Sequence, residues 1–392
     1  MAHMTKRDAI RTPTALPGLL TRGQNFTTVV SAETIQSTRE EIDSEFAFVL
    51  VDANIRLGPA AEVLFQKLTA KNWLLDICAL SAGESIKSET HVRAILNKLS
   101  ERDYRRMIII GGGTIINLGN YAAAAYIELK NIRRPDFSLW IAPTNTMSIA
   151  DVAMGGLGLL NDTVTGTKNA LRKTIDPNFI ILDSSFITSS SADVQREGVA
   201  ETVKHCLLQN STNYHNVLSL WTGSSIEPLG FYNAACLGLE LKADVLRHRG
   251  QFESRHIGLA LNYGHLHATA LEEYLSFKVP HGDVVAIGLA LDLYLAAPRP
   301  IAAEFAAALS QSAIKPRLVD ILNRLQFPEL LAEYRKDRRF LVGDDFDIIS
   351  LDTVGQYSLN EDSAQAMLKL TKKTFHEITL AYEQIHRYMT DL

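Results

Sequence analysis

The 392-residue chain has little of what several classes of protein require. Its three cysteines, Cys78, Cys206 and Cys236, lie far apart without a CxxC pair, which argues against a disulfide scaffold or a cysteine zinc cage. No apolar run reaches the roughly 20 residues of a membrane-spanning helix, and the N-terminus lacks the pattern of a signal peptide. We therefore expect a cytoplasmic protein that does not bind membranes.

The chain also lacks an excess of positive charge. It has 39 Lys and Arg residues against 44 Asp and Glu residues, for a formal net charge of −5. Nucleic acids and anionic surfaces are bound through positive fields, so we expect neither as a partner. The length itself, at roughly 100–200 residues per domain, indicates two domains.

The first half of the chain alternates strand-like and helical segments. Strand-like runs are predicted at 46–52, 73–80, 107–113, 137–143 and 179–183, with helices at 59–71 and 88–101 between them. This alternation is typical of a parallel sheet covered by helices. The second half is predicted to be mostly helical, at 193–210, 228–247, 283–296, 302–311 and 363–388. We place the domain boundary in the polar segment 184–192, giving domains 1–184 and 185–392.

Three consecutive glycines follow the third predicted strand, at Gly111, Gly112 and Gly113. Backbone N–H groups at the start of the following helix can receive a dinucleotide pyrophosphate, although a tight strand-to-helix turn needs glycine equally. Asp52 ends the first strand, with Asn54 two residues later. Asp52 is either an acceptor for ribose hydroxyls or a turn residue.

Potential metal ligands occur in three segments of the second half. Glu201 and Lys204 share one helical face, His265 and His267 lie together, and His281 precedes an apolar helix. Each residue alone is more often a surface or core residue than a ligand. One Glu and two His together make three protein ligands and leave an open position for substrate or water, as catalytic zinc sites require.

The order of several motifs resembles dehydroquinate synthase and the wider sugar phosphate cyclases, from about Asp52 to about Leu291. The segments that carry the resemblance are the glycine turn, PTNTMSIADVAMGG (143–156), TKN (167–169), EGVAETVKH (197–205), NYGH (262–265) and HGDVVAIG (281–288). The resemblance implies an α/β, Rossmann-like N-terminal domain that binds NAD. It also implies a mostly α-helical C-terminal domain that binds zinc or cobalt, with Glu201, His265 and His281 as the ligands.

The resemblance also implies roles for individual side chains. The implied NAD neighbours are Asp52, Asn54, Glu84, Lys87, Gly112, Gly113, Thr144 and Asp151. The implied substrate and catalytic residues are Lys168, Asn169, Lys204 and Asn262, with Lys242 matching a lysine near the substrate's carboxyl end.

Four positions depart from dehydroquinate synthase. Glu128 stands in place of an arginine, Leu157 in place of a lysine, Thr269 in place of a second histidine, and Gly258 in place of the arginine that holds a carboxylate. A carboxylate is poorly recognised without that planar guanidinium.

These departures favour a different member of the family. The segments FESR (252–255) and 363–388 resemble cyclases that act on sedoheptulose 7-phosphate, such as 2-epi-5-epi-valiolone synthase. The substrate phosphate then needs other cationic or N–H partners, because a buried dianion cannot be left unpaired. The residues considered for this role are Lys168, His267, Lys130 and the Arg133–Arg134 pair, of which Lys168 and His267 are favoured.

The sequence therefore predicts an NAD- and metal-dependent sugar phosphate cyclase of natural product biosynthesis. It would convert a ketose phosphate of about seven carbons into a carbocycle, by phosphate elimination and intramolecular aldol closure, and we expect a homodimer. Three alternatives stay open: a polyol or sugar dehydrogenase on the same fold, dehydroquinate synthase itself, and a non-catalytic homologue.

Overall fold

The chain forms two compact units, and it passes from the first to the second between Ser190 and Ser191. The computed structural model describes residues 19–22, 25–40, 42, 44–164, 167–223, 227–247, 254–336, 340–357 and 368–390. Residues 252–253 of the FESR segment and 363–367 of the last helical pattern lie outside the described residues. No helix in the described part of the chain is long and apolar enough to cross a membrane.

The first unit is built from strands alternating with helices. Its elements in chain order are β1 (Leu19–Arg22), β2 (Asn25–Ser31), β3 (Phe46–Asp52), α1 (Pro59–Thr69), β4 (Leu74–Leu80), α2 (Glu89–Leu99), β5 (Arg106–Gly111), α3 (Gly113–Leu129), β6 (Ser138–Pro143), β7 (Leu157–Asp162), β8 (Thr167–Thr174), β9 (Phe179–Leu182) and α4 (Ser184–Thr188).

Seven of these strands form one sheet, in the order β1-β2-β9-β6-β5-β3-β4. All neighbours run parallel except β1, which pairs antiparallel with β2. The central strands β3, β5 and β6 are almost continuously apolar because helices cover both faces of the sheet. The chain leaves β3 first toward β4 and then crosses to β5, so the strand order reverses between β3 and β5. Ligands of doubly wound sheets bind outside the carboxyl ends of the strands at such a point.

The second unit is mostly helical. Its elements are α5 (Ala192–Gln209), α6 (Ser211–Thr222), α7 (Pro228–Arg247), α8 (Ser254–Leu261), α9 (His265–Tyr274), α10 (His281–Ala296), α11 (Arg299–Ser310), α12 (Lys315–Asn323), α13 (Phe327–Lys336), β10 (Leu341–Val342), β11 (Asp345–Ile349), β12 (Leu370–Lys373) and α14 (Phe375–Thr390). Helix α10 is buried along Gly282–Leu293, since α5, α9, α11, α12 and α14 pack around it. A helix that is apolar on all sides belongs at such a centre.

The predicted fold class is confirmed, with an α/β unit followed by a helical one. The five predicted strands and the helices at 59–71 and 88–101 are present within a few residues of the predicted ends. The strands β1 and β2, the hairpin of β7 and β8, and the strands β10 and β11 were not predicted. The prediction of a helix over 363–388 was wrong for Leu370–Lys373, which forms β12, and the helix α14 begins at Phe375. The division into domains 1–184 and 185–392 stays a prediction.

Candidate functional site

Three predicted metal ligands converge in the helical unit. Glu201, His265 and His281 each offer one ligand atom, and these atoms lie within 4.8 Å of one another. His265 Nε2 is 3.3 Å and His281 Nε2 is 3.4 Å from Glu201 Oε1. No other group of three such ligands was found among the described residues. Residues from three segments separated by up to 80 positions thus come together because α5 and α9 both pack against α10.

Each of the three side chains is turned toward the others by a separate contact. The ammonium of Lys204, three residues along α5, donates to Glu201 Oε2 and, at 2.8 Å, to the Leu261 carbonyl. His265 Nδ1 lies 3.2 Å from the Tyr263 carbonyl, and His281 Nδ1 lies 3.0 Å from Glu272 Oε1. Histidine ligands of metals have their second nitrogen bound in this way to a carbonyl or carboxylate. The arrangement leaves Glu201 Oε1 and both Nε2 atoms facing one point.

The charges of the trio depend on one another. Burial alone would raise the pKa of Glu201, but the Lys204 ammonium and the His265 imidazole outweigh it and hold that pKa well below its usual range. Burial would likewise lower the pKa of His281, yet the carboxylates of Glu272 and Glu201 raise it to about 10. Glu201 is therefore anionic at neutral pH, as a metal ligand must be, whereas His281 would release a proton when its Nε2 binds an ion.

A divalent ion fits this donor set. Glu201 Oε1 is buried and has no hydrogen-bond partner of acceptable geometry, although two ring nitrogens lie 3.3 and 3.4 Å away. A buried carboxylate oxygen without a partner costs free energy, and an ion between the three atoms would supply one. One carboxylate and two imidazoles are a ligand set that zinc and cobalt accept.

The predicted substrate residues of the helical unit have different surroundings. Lys204 is buried beside the trio, and Asn262 donates through Nδ2 to the Gly258 carbonyl at 2.6 Å, in the turn just before His265. Lys242 is partly exposed on α7. His267 is fully buried, and both its ring nitrogens have protein partners, Tyr334 and Asp292. This geometry does not support the predicted role of His267 as a phosphate ligand.

The predicted NAD residues end or follow strands whose carboxyl ends share one edge of the sheet. Asp52 ends β3, Gly112 and Gly113 follow β5, and Thr144 follows β6. Register pairs Asp52 with Leu80 and Gly111 with Pro143, so these strands end together. Asn54, Glu84, Lys87 and Asp151 follow the same strand ends in the chain. This edge includes the reversal point between β3 and β5.

The local geometry at this edge also fits the structural alternatives considered for these residues. A Cβ on Gly111 would lie 2.7 Å from Ile115, so a tight turn does require glycine there. Asp52 Oδ1 accepts the N–H of Asn54 at 3.0 Å, as a turn residue does. Gly112 begins α3 with no side chain capping it, which leaves the helix start without a Cβ that a bound phosphate would meet.

A hydrogen-bonded network joins Glu84, Lys87 and Asn169. Lys87 donates to Asn169 Oδ1 and lies 3.1 Å from Glu84 Oε1. Asn161, on β7, donates to Glu84 Oε1 at 2.9 Å and accepts the N–H of Asn169 at 2.9 Å. This accepting bond helps to hold Asn169 in its left-handed conformation, at φ of 54°. Two predicted NAD neighbours and one predicted substrate residue therefore share one network.

Glu128, which replaces an arginine of the family pattern, and the basic residues considered as phosphate ligands have surroundings of their own. Glu128 is exposed on α3 and pairs with Lys173. Arg133 pairs with Asp136 at 2.7 Å, and the guanidinium of Arg134 donates to the carbonyls of Phe137 and Asp176. The Arg133–Arg134 pair thus has structural partners, and Lys130 is the exposed C-cap of α3.

Leu157 lies partly buried on β7, Thr269 lies on α9, and Lys168 lies on β8 beside Asn169, partly exposed. In the described part of the chain, a Cβ on Gly258 would meet nothing within 4 Å. The space for a side chain at position 258 is therefore present.

Sequence reasoning missed Glu272, Asn161 and Asp292. Glu272 follows His265 by seven residues, which places both on one face of α9, so its spacing was a usable signal. Asn161 and Asp292 carry no comparable signal, because their partners lie in other segments of the chain.

Comparisons with known proteins agree with this description. The family model of the 3-dehydroquinate synthase N-terminal domain matches residues 77–197, and that of the C-terminal domain matches residues 198–340, together about two thirds of the chain. A 3-dehydroquinate synthase of Picrophilus torridus is 25% identical over 300 residues, which cover 74% of this chain and 81% of that protein. One of Pyrobaculum aerophilum is 29% identical over 56% of this chain and 61% of its own length.

Two solved structures share the fold over nearly the whole chain. A 2-deoxy-scyllo-inosose synthase complexed with carbaglucose-6-phosphate, NAD+ and Co2+ has a TM-score of 0.74 at 18% identity, covering 93% of this chain and 99% of its own. The 2-epi-5-epi-valiolone synthase of Streptomyces hygroscopicus subsp. jinggangensis 5008, with NAD+ and Zn2+, has a TM-score of 0.70 at 16% identity, covering 94% and 98%. With both domain models matched in order, the chain belongs to the 3-dehydroquinate synthase family.

Proposed function

We propose that this protein is an NAD- and divalent-metal-dependent cyclase that converts a sugar phosphate without a carboxylate into a carbocycle, releasing inorganic phosphate. The observation that carries the proposal is the convergence of Glu201, His265 and His281 on one point, with Glu201 Oε1 buried and accepting no hydrogen bond of acceptable geometry. Sedoheptulose 7-phosphate is the substrate we favour, and natural product biosynthesis is the setting we expect.

In the α/β unit, the carboxyl edge of the sheet would hold NAD. The start of α3 at Gly112 and Gly113 would receive the pyrophosphate through backbone N–H groups, and Asp52 would accept from the ribose hydroxyls. The Asx turn from Asp52 to Asn54 fixes the carboxylate in advance. Glu84, Lys87, Thr144 and Asp151 would be further neighbours along the same edge.

In the helical unit, Glu201 Oε1, His265 Nε2 and His281 Nε2 would hold the ion. When bound, NAD supplies a transient hydride acceptor and the ion supplies a Lewis acid for a substrate hydroxyl. Lys204 keeps Glu201 ionised and turned toward its partners, and Glu272 keeps His281 in the tautomer whose Nε2 is a ligand. Asn262, in the turn before His265, would bind a substrate hydroxyl.

The absence of a guanidinium at position 258 argues against a carboxylate-bearing substrate. Gly258 leaves open space there, so a carboxylate would lack the bidentate partner that the family's arginine supplies. For the substrate phosphate we propose Lys168, a partly exposed cation on β8 directly beside Asn169. Lys242 remains a proposed substrate residue, and the homodimer remains an expectation.

The test is an assay of inorganic phosphate with the protein loaded with NAD and Co2+ or Zn2+. The compounds are sedoheptulose 7-phosphate, glucose 6-phosphate and the carboxylate-bearing precursor of dehydroquinate, with Glu201→Gln as the matched inactive control. We expect phosphate release from a carboxylate-free compound, without net NADH. Release from the carboxylate compound alone would make the protein a dehydroquinate synthase. Accumulation of NADH without phosphate release would make it a dehydrogenase and reject the proposal.

A further inference from the structure

His267 belongs to a buried polar network that the proposed reaction does not use. Its Nε2 lies 3.0 Å from Asp292 Oδ1 and its Nδ1 lies 2.5 Å from the Tyr334 hydroxyl, which is 2.9 Å from the Tyr382 hydroxyl. None of these four residues is more than 3% exposed. A polar network inside an apolar helical core is costly unless each member is satisfied, and here each member has a partner. The network therefore holds its four helices, α9, α10, α13 and α14, in one arrangement.

Asp292 extends the network to the turn that carries a proposed metal ligand. Its second oxygen, Oδ2, accepts the N–H of Gly264 at 2.8 Å, and Gly264 directly precedes His265. Gly264 has a φ of 78°, in the left-handed region that favours glycine. The turn lies against the backbone of α10, because a Cβ on Gly288 would be 2.0 Å from the Gly264 carbonyl oxygen. The Asp292 carboxylate thus makes two hydrogen bonds to the start of α9, one with the Gly264 N–H and one with the His267 ring.

The direction of the His265 ring depends on the same turn. The contact from His265 Nδ1 to the Tyr263 carbonyl is 3.2 Å long and stays inside the turn, so it moves with the turn. Contacts from Asp292 and His267 anchor the turn to α10, which also carries His281. A shift of the turn would therefore move one ligand nitrogen relative to the other two ligand atoms.

We infer that Asp292 and His267 are positioning residues that fix the turn before α9, so that His265 meets the ion together with Glu201 and His281. The inference rests on the proposed metal site and assigns His267 a role at the ligand turn in place of the predicted phosphate contact. Through Tyr334 and Tyr382 the same network joins the C-terminal helix α14 to that turn.

The test measures Co2+ binding to the purified full-length protein by competition with a chelator, and the visible absorption bands of the bound Co2+. Asp292→Asn keeps the shape of the side chain and removes its charge, and His267→Phe removes both ring nitrogens. Loss of a direct hydrogen-bond partner of a ligand costs about 10–100-fold in metal affinity, and Asp292 and His267 act through the turn, so the loss should be smaller, at about 3–10-fold. We expect a weakening in that range for both variants, with altered bands, and partial recovery in His267→Gln, which keeps an N–H donor.

Tyr274→Phe is the matched control. It removes a hydroxyl bonded to Arg324 and Gln326 at the other end of α9, and we expect it to leave Co2+ affinity and bands unchanged. Wild-type affinity and bands in Asp292→Asn and His267→Phe would overturn the inference, whatever their thermal stability. Asp292→Asn and His267→Gln serve as the test where His267→Phe does not fold. A wild-type protein that fails to bind Co2+ overturns the metal site itself, which is a distinguishable result.

Discussion

The two units form their candidate sites from different kinds of groups. In the α/β unit the proposed NAD residues follow strand ends, and backbone N–H groups of a glycine turn would supply part of the binding. In the helical unit the proposed metal site consists of charged side chains in the interior, with Lys204 and Glu201 at 1% and 0% exposure. Backbone N–H groups are kept when most side chains are replaced, whereas buried charges depend on each partner. We therefore expect the helical unit to be far more sensitive to single substitutions.

Removal of the carboxylate ligand should have the largest effect. Glu201→Gln keeps the shape of the side chain but takes away the negative charge that a divalent ion needs, so we expect elemental analysis to find no bound ion. Glu197→Gln, one turn earlier on α5, is the matched control and should keep its ion. Full metal content in Glu201→Gln would mean that the ion binds elsewhere.

Removal of the buried Lys204 ammonium should have the second largest effect, as a loss of unfolding free energy. Lys204→Met leaves the Glu201 carboxylate buried without its cation, and breaking a buried pair in this way costs about 3–5 kcal/mol of unfolding free energy. The Lys336–Glu333 pair has the same three-residue spacing on an exposed helix face, so Lys336→Met should cost at most about 1 kcal/mol. Chemical denaturation of the metal-free proteins compares the two. Equal losses of unfolding free energy in Lys204→Met and Lys336→Met would contradict the claim that the buried ion pair matters more than the exposed one.

At the sheet edge the expected change is in selectivity, with the fold intact. We expect the protein to prefer NAD to NADP, because the Asp52 carboxylate would repel a 2′-phosphate. Asp52→Asn keeps the acceptor for the Asn54 N–H and should reduce the preference about tenfold, or about 1.4 kcal/mol. Calorimetric titration with both dinucleotides measures it, with Asp76→Asn on β4 as the control. An unchanged preference for NAD over NADP in Asp52→Asn would mean that Asp52 does not contact the ribose.

The smallest effect is a gain in stability. Gly258 lies within α8, where a Cβ meets open space, so Gly258→Ala should stabilise the protein by about 0.5–1 kcal/mol. The same substitution at Gly288 on α10 should destabilise it, because the new Cβ would lie 2.0 Å from the Gly264 carbonyl oxygen. Thermal unfolding of the two variants should move in opposite directions. A loss of stability in Gly258→Ala would mean that the helix does not accept a side chain there.

The contrast between a sheet edge and a buried cluster of side chains also explains which features could be predicted from the sequence. Apolar runs such as Phe46–Asp52 and Arg106–Gly111 carry their own strand signal, and the residues after them fall at the sheet edge by topology alone. The three residues that converge at the candidate metal site, Glu201, His265 and His281, were predictable from residue type and motif order. Their supports were not, because His267 meets Asp292 and Tyr334 across 25 and 67 residues of chain. His267 shows the consequence, since this histidine beside a ligand motif was predicted to bind phosphate, and the structure buries it with Asp292 and Tyr334 as partners.

The most direct test of the account is an anomalous difference map from crystals grown with Co2+. We predict one strong peak in the helical unit, within about 2.0–2.2 Å of Glu201 Oε1, His265 Nε2 and His281 Nε2, the usual range for oxygen and nitrogen ligands of zinc. A map without a peak among these three atoms, or with the ion bound by other residues, would contradict the account.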